Sequence, residues 1–425
     1  MESTKQYFSH LIVHIGKVLK IDSSYVFHGG AWLTLGQLFS AVTALLLSVA
    51  FAHLVPKEVY GEYKFILSIT GILGIFSLSG MSAAITRATS AGLDGTILGV
   101  VRRVLKYNAI LFPISLIVAG YYFLNSNIGL ALGLVIFGLA SPIISSFGLY
   151  DGFLIGKKDF RGSVLANTGV SFFVMVGLIT AMILTTPSPL LLIVIYFSIL
   201  ALGSVFFYHK TISQYHPDPT KIDNSTTTYG AHLSIMGVFS TIADQIDKIL
   251  IFHYLGAAQL AIYSFAVAIP EQVKGVLKNV TTLMLPRFSE RSDKEILHTI
   301  WRKMLIFGLA TSALILTYVT LAPIIFHVLF PAYEESILYS QIVTLSLIAV
   351  IVNVPYVFIQ TRMQKKILYG FNISSAIIQI FLFVFLTPTY GLMGAICAII
   401  GSRLYSLVFW ICLTILLSTK KEASI

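Results

Sequence analysis

Apolar runs of about twenty residues or more, parted by short polar breaks, recur from residue 28 to residue 417. A helix needs about 20 mostly apolar residues to cross hydrocarbon. On that criterion the pattern predicts twelve spans, at 28–54, 65–86, 104–124, 128–150, 163–185, 189–209, 231–254, 257–285, 304–330, 336–360, 369–387 and 390–417. The second is rich in Gly and Ser, and the eighth carries three charges. The breaks after even-numbered spans hold most of the Lys and Arg, including Arg102, Arg103, Lys157, Lys158, Lys210, Arg302 and Lys366, whereas the opposite loops hold only Lys57 and Lys64. Positive charge stays on the cytoplasmic side, so both termini are expected there, in a multi-pass protein of the inner (cytoplasmic) membrane. The outer loops, such as 125–127, 186–188 and 388–389, are turns only, which excludes a folded external domain.

Composition agrees with this pattern. Of 425 residues, 56% are hydrophobic and 11% charged, against about 25% charged in soluble domains. The net charge of +10 is spread between apolar spans rather than along one exposed face, so it is no nucleic-acid footprint. Cys397 and Cys412 lie too far apart on one helix to bridge. The lead-in, residues 1–27, lacks a long apolar core with a cleavage site and reads as a cytoplasmic amphipathic segment. The longest polar stretch, 210–230, sits at the midpoint and contains Pro217 and Pro219. It divides a first six-helix bundle (28–209) from a second (231–417), with a tail at 418–425, and reads as a hinge.

A shift of 200 positions supports the division. His53/His253, Tyr63/Tyr263, Phe65/Phe265, Arg87/Arg287 and Arg102/Arg302 match without a gap. Six helices per half is even, so the halves share one orientation, about an axis along the membrane normal.

Charges inside the spans then stand out. The seventh carries Asp244, Asp247 and Lys248, and the eighth carries Glu271, Lys274 and Lys278. Each charge at the bilayer centre costs roughly 2.5–3.5 kcal/mol, so the six would cost on the order of 15–20 kcal/mol if they faced lipid unpaired. Their first-half counterparts are Ala44, Leu47, Ser48, Gly71, Gly74 and Leu78, so the scaffold does not need them. Asp244, Asp247 and Lys248 share one helical face. Lys248 can reach back to Asp244, which leaves a spare acid, and a proton or sodium site is the functional reading of Asp244, Asp247 and Glu271. Glu271, Lys274 and Lys278 share a face too, after Pro270. Lys278 can also snorkel to the headgroups. Arg403, mid-span with no acid in its own helix, either pairs with one of these acids or binds phosphate bidentately. Arg87 and Arg287 either anchor span ends or form a cationic vestibule.

The segments HLVPKEVYGEYKFILSITGILGIFSLSGMSAAITR and ADQIDKILIFHYLGAAQLAIYSFAVAIPEQVKGVLKNVTTLMLPRFSE resemble the polysaccharide transporter family of the multidrug/oligosaccharidyl-lipid/polysaccharide exporter superfamily, which includes the Wzx-type O-antigen flippases. The resemblance implies an all-α polytopic membrane protein of about 12 transmembrane helices in two parallel six-helix bundles, V-shaped and MATE-like. It implies a flippase, not an enzyme, that moves a polyprenyl-pyrophosphate-linked oligosaccharide from the inner to the outer leaflet by alternating access. Lys248, Lys274, Lys278, Arg403, Arg87 and Arg287 would contact the lipid-linked substrate, with proton or sodium coupling and no other cofactor. Polysaccharide polymerase machinery is a candidate partner. The alternative within the superfamily is a multidrug or cation antiporter. A membrane polymerase or ligase is disfavoured by the minimal outer loops, and a major-facilitator symporter by the absence of its Gly-x-x-x-Asp-Arg-type loop from TRATSAGLDGTILGVVRR. No P-loop, HExxH, Asp-x-Asp pair or metal-spaced His set occurs.

Overall fold

The computed structural model describes residues 23–282, 288, 293–362 and 364–422, and all regular structure among them is helical. The elements are α1 (Ser23–Leu54), α2 (Lys57–Leu73), α3 (Met81–Ser90), α4 (Thr96–Asn108), α5 (Leu111–Leu124), α6 (Ile128–Phe147), α7 (Tyr150–Gly156), α8 (Phe160–Leu184), α9 (Pro189–Tyr215), α10 (Thr226–Leu255), α11 (Ala257–Thr282), α12 (Asp293–Leu329), α13 (Ser336–Leu345), α14 (Asn353–Thr361) and α15 (Lys365–Glu422). Among the described residues, ten stretches are long and apolar enough to cross a membrane. The last of them, Lys366–Leu417, covers 52 residues and turns at Gly391, whose φ of 61° and ψ of −140° are not helical, so it holds two passes. The charged α10 adds another, which accounts for the twelve predicted. Leu202, Ile183, Leu309 and Leu316 are exposed, as lipid-facing side chains must be.

The second span differs from expectation. Its helix begins at Lys57, not residue 65, and ends in a 3₁₀ turn at Gly74–Phe76. Ser77 is extended, and the Leu78 amide donates to Asn108 Oδ1 at 3.2 Å. The polar FSLSG run breaks the helix, so Lys57 and Lys64 belong to α2 rather than to a loop, and Arg87 lies on the separate α3.

The chain packs as two compact units. One gathers the described residues up to Ala50 with Leu73–Gly237, and the other gathers Phe51–Ile72 with Val238 onward. This division is not the contiguous 28–209 and 231–417 read from sequence, because α2 packs with the C-terminal helices. Gly61 permits this packing: a Cβ there would lie 1.9 Å from the Ala257 carbonyl oxygen. Phe65 stacks on Phe252 with ring centroids 3.6 Å apart, and Lys57 pairs with Glu335 at 3.0 Å. The repeat holds locally, with α2 and α11 starting 200 positions apart. Gly61→Ala must push backbone from backbone, so it should destabilise the protein by about 1–3 kcal/mol or more. Gly370→Ala, facing open space, should not. Thermal unfolding in detergent reads both, and equal midpoints would remove the argument for the close approach.

In the first unit, Met81, Ile85, Ile97, Val101, Val104, Phe153 and Tyr208 form a buried core. The midpoint stretch is held on this unit and does not hang as a free hinge. The Asp223 amide donates to Thr96 Oγ1 at 2.8 Å, and a Cβ on Gly95 would meet the Asp218 carbonyl at 1.9 Å. Beside it, Lys157 donates to Asp94 Oδ2 at 2.6 Å. Burial pushes the Asp94 carboxyl up, but the hydrogen bond and charge of Lys157 outweigh it and hold the group below the usual carboxylate range.

Candidate functional site

The charged residues expected on the seventh and eighth spans lie in the second unit, on α10 and α11. Asp247 accepts hydrogen bonds from the hydroxyl of Tyr263 at 2.7 Å and from Lys248 Nζ at 3.2 Å. Tyr263 is almost wholly buried, so its phenol reaches Asp247 from inside the packing of α11. Lys248 does reach back one turn, but to the backbone carbonyl of Asp244 at 2.8 Å and not to its carboxylate. No ion pair within 4 Å involves the Asp244 carboxylate among the described residues, and Asp244 is exposed. It lies in the fields of Lys274 and Lys248 on one side of the balance and of Asp247 and Glu271 on the other. Asp247 and Glu271, by contrast, each have an ion pair.

On α11, Glu271 is held from two sides. Lys274 donates to Oε2 at 2.9 Å, and Arg403 Nη2 donates to Oε1 in a short charge-assisted bond. Of the two routes open to Arg403 in the sequence, pairing with an acid on another helix is the one the fold takes. Its other nitrogen, Nη1, donates to Ser346 Oγ at 2.7 Å and to the Val343 carbonyl at 3.2 Å. The Arg403 side chain is 12% exposed, against 46% for Lys274 and 44% for Glu271. Lys278 stands one turn further along α11 and is exposed. Glycine matters on the neighbouring α2: a Cβ on Gly71 would sit 3.1 Å from Gln245 Cδ, so its missing side chain leaves room for Gln245.

Arg87 belongs to the other unit. It pairs with Asp223 at 3.4 Å and lies over the Tyr229 ring, 4.7 Å from the centroid. Its partner Asp223 is held below the usual carboxylate range by the hydroxyl and amide of Ser225, then by Thr226 and the charge of Arg87. Arg287 lies outside the described residues. Sequence reasoning missed Tyr263, Ser346 and Gln379, whose Nε2 donates to the Ala243 carbonyl at 2.8 Å. Tyr263 was visible only as half of a repeat match. Its spacing of eight residues from Glu271 places both near one face of α11 and could have linked it to the acids.

The family model for Polysaccharide biosynthesis protein matches residues 26–292. The chain belongs to this family. No curated protein matches it. Among solved structures, this polysaccharide biosynthesis protein is similar to the inward-closed lipid II flippase MurJ, with a TM-score of 0.70 and 14% identity over 89% of this chain and 86% of that one. It is similar as well to an inward-facing multidrug resistance MATE transporter of the MOP superfamily, with a TM-score of 0.69 and 12% identity over 91% and 96%. A MOP superfamily transporter from Pyrococcus furiosus, with a binding pocket of reverse polarity, is similar too, with a TM-score of 0.59 and 13% identity over 92% and 95%. At these identities the likeness is one of fold, an all-helical fold of about twelve spans.

Proposed function

We propose that the protein flips a polyprenyl-pyrophosphate-linked oligosaccharide from the inner to the outer leaflet of the cytoplasmic membrane. The observation that carries this reading is the pair of exposed cations, Lys274 and Lys278, one turn apart on α11 beside an ion-paired acid. Membership in a polysaccharide biosynthesis family and a fold shared with a lipid II flippase support it. An anionic headgroup that leaves water needs fixed cations aimed at it, and a half-exposed Lys offers one without stripping an acid of every partner. Arg87, exposed on its own unit, serves as a gathering site for the diphosphate, and Asp244 serves proton or sodium coupling. The product would pass to polysaccharide polymerase machinery outside.

The test is deletion in the native host. Undecaprenyl-linked glycan should accumulate on the cytoplasmic leaflet and return to the outer surface on complementation. Unchanged glycan display with altered drug or cation sensitivity would favour the antiporter instead. The orientation is tested by reporter fusions. Fusions after Asn127, Ser188 and Thr389 should report outside and those after Lys158 and Lys366 inside; an outside signal at Lys366 would break the orientation.

A further inference from the structure

The tenth span does not run as one α-helix. It is α-helical at Ser336–Leu345, 3₁₀ at Ser346–Val352 and α-helical again at Asn353–Thr361. Runs of 3₁₀ longer than three or four residues are uncommon, because the hydrogen bonds are poorly aligned and the side chains crowd, and a run inside a longer helix often marks a hinge. This one covers seven residues. Pro355 gives a local cause, since it has no N–H to donate to the carbonyl four residues back, at Ile351. At the first edge of the break, the Val343 carbonyl accepts from the Ser346 hydroxyl at 2.6 Å and from Arg403 Nη1 at 3.2 Å. The same nitrogen donates to Ser346 Oγ. One guanidinium therefore caps the start of the break with one arm and holds Glu271 with the other.

We propose that Arg403 is a positioning residue that couples the ion pair at Glu271 to the geometry of the 346–352 break. This role follows from the ion-pair route, the first of the two that the sequence left open, and not from direct phosphate binding. Planarity is what makes the coupling work. The two arms of a guanidinium are fixed relative to each other, so a shift of Glu271 turns the plane and changes its hold on Val343 and Ser346. Glu271 is itself shared between Arg403 and the exposed Lys274. An anionic group that draws Lys274 away leaves Arg403 as the acid's principal partner and pulls the guanidinium toward α11. The chain of contact runs from an exposed cation, through a half-exposed acid, to a buried cap on a broken helix. The link to transport rests on the flippase reading; the mechanical coupling does not.

The experiment is hydrogen–deuterium exchange on the purified full-length protein in nanodiscs without substrate, read on peptides spanning 343–352. Arg403→Met should speed exchange there by about tenfold, the effect of losing one charge-assisted cap on local opening. Glu271→Gln should speed exchange in the same peptides, although residue 271 sits on α11, and should add nothing in the Arg403→Met background. Should Arg403→Met fail to reach the membrane, Arg403→Lys serves in its place. Its single ammonium can hold Glu271 but not the break as well, so it too should speed 343–352. Exchange at 343–352 that ignores Glu271→Gln, or that responds equally with and without Arg403, overturns the coupling. Coupled exchange in a protein whose deletion leaves glycan display intact would uphold the hinge and refute the flippase.

Discussion

Lys274→Ala will abolish surface glycan while the protein still reaches the membrane in normal amount. The reason lies in how Glu271 is shared. Its carboxylate accepts from Lys274 on one oxygen and from Arg403 on the other, so removing Lys274 still leaves it paired across helices. A half-exposed ion pair is worth little to stability, and the fold should survive. Substrate binding is different: a charge-assisted hydrogen bond contributes about 1.5–3 kcal/mol, roughly 10–100-fold in affinity. Lys278→Ala should cost less, because that side chain can also serve the headgroup region. Arg403→Ala should be just as inactive for another reason, the loss of the partner of Glu271 and of the cap on Val343. The double change Arg403→Ala with Glu271→Gln separates the two roles. Restored display would mark Arg403 as an ion-pair partner only. Normal display in Lys274→Ala at equal membrane levels would remove the cation on which the substrate assignment rests.

What could be read from sequence and what could not follow from the range of each interaction. The spans were legible because hydrocarbon imposes a length on every helix, and Lys366–Leu417 is no harder to divide by hydropathy than by its turn at Gly391. Charges inside spans were legible for the same reason, since the bilayer makes each one costly. Their pairing was not. Glu271 and Arg403 are 132 positions apart, and nothing local to either chooses between Asp244, Asp247 and Glu271 as the partner. The boundary of the second span failed because Lys57, Glu58, Glu62 and Lys64 depress hydropathy in a stretch that tertiary packing holds helical, with Tyr60 and Tyr63 buried. The polar midpoint read as a hinge because composition reports solvation, whereas Gly95 and Thr96 supply contacts that only the fold brings to it.

Asp244→Asn will flatten the dependence of transport on the ion gradient, and it should do so more completely than the same change at Asp247 or Glu271. All three acids are coupling candidates in sequence, but the structure separates them. Asp247 is committed to Tyr263 and Lys248, and Glu271 to Lys274 and Arg403. Neutralising either removes a partner from a buried or half-buried donor, so the first effect should be on stability. Asp244 has no ion pair among the described residues, is exposed, and sits where Lys274 and Lys248 act on it from a distance. It can therefore exchange a proton or a sodium ion without breaking a bond that holds helices together. One charge moved across 100 mV is worth about 2.3 kcal/mol, equivalent to about fiftyfold in accumulation, which sets the largest response the gradient can drive. Proteoliposomes with an imposed gradient and a fluorescent lipid-diphosphate probe measure it. The wild type should respond steeply, Asp244→Asn should run at one gradient-independent rate, and Asp247→Asn should lose thermal stability first. A full gradient response in Asp244→Asn would exclude this carboxylate as the coupling site and leave its charge to tuning Lys274 and Lys248.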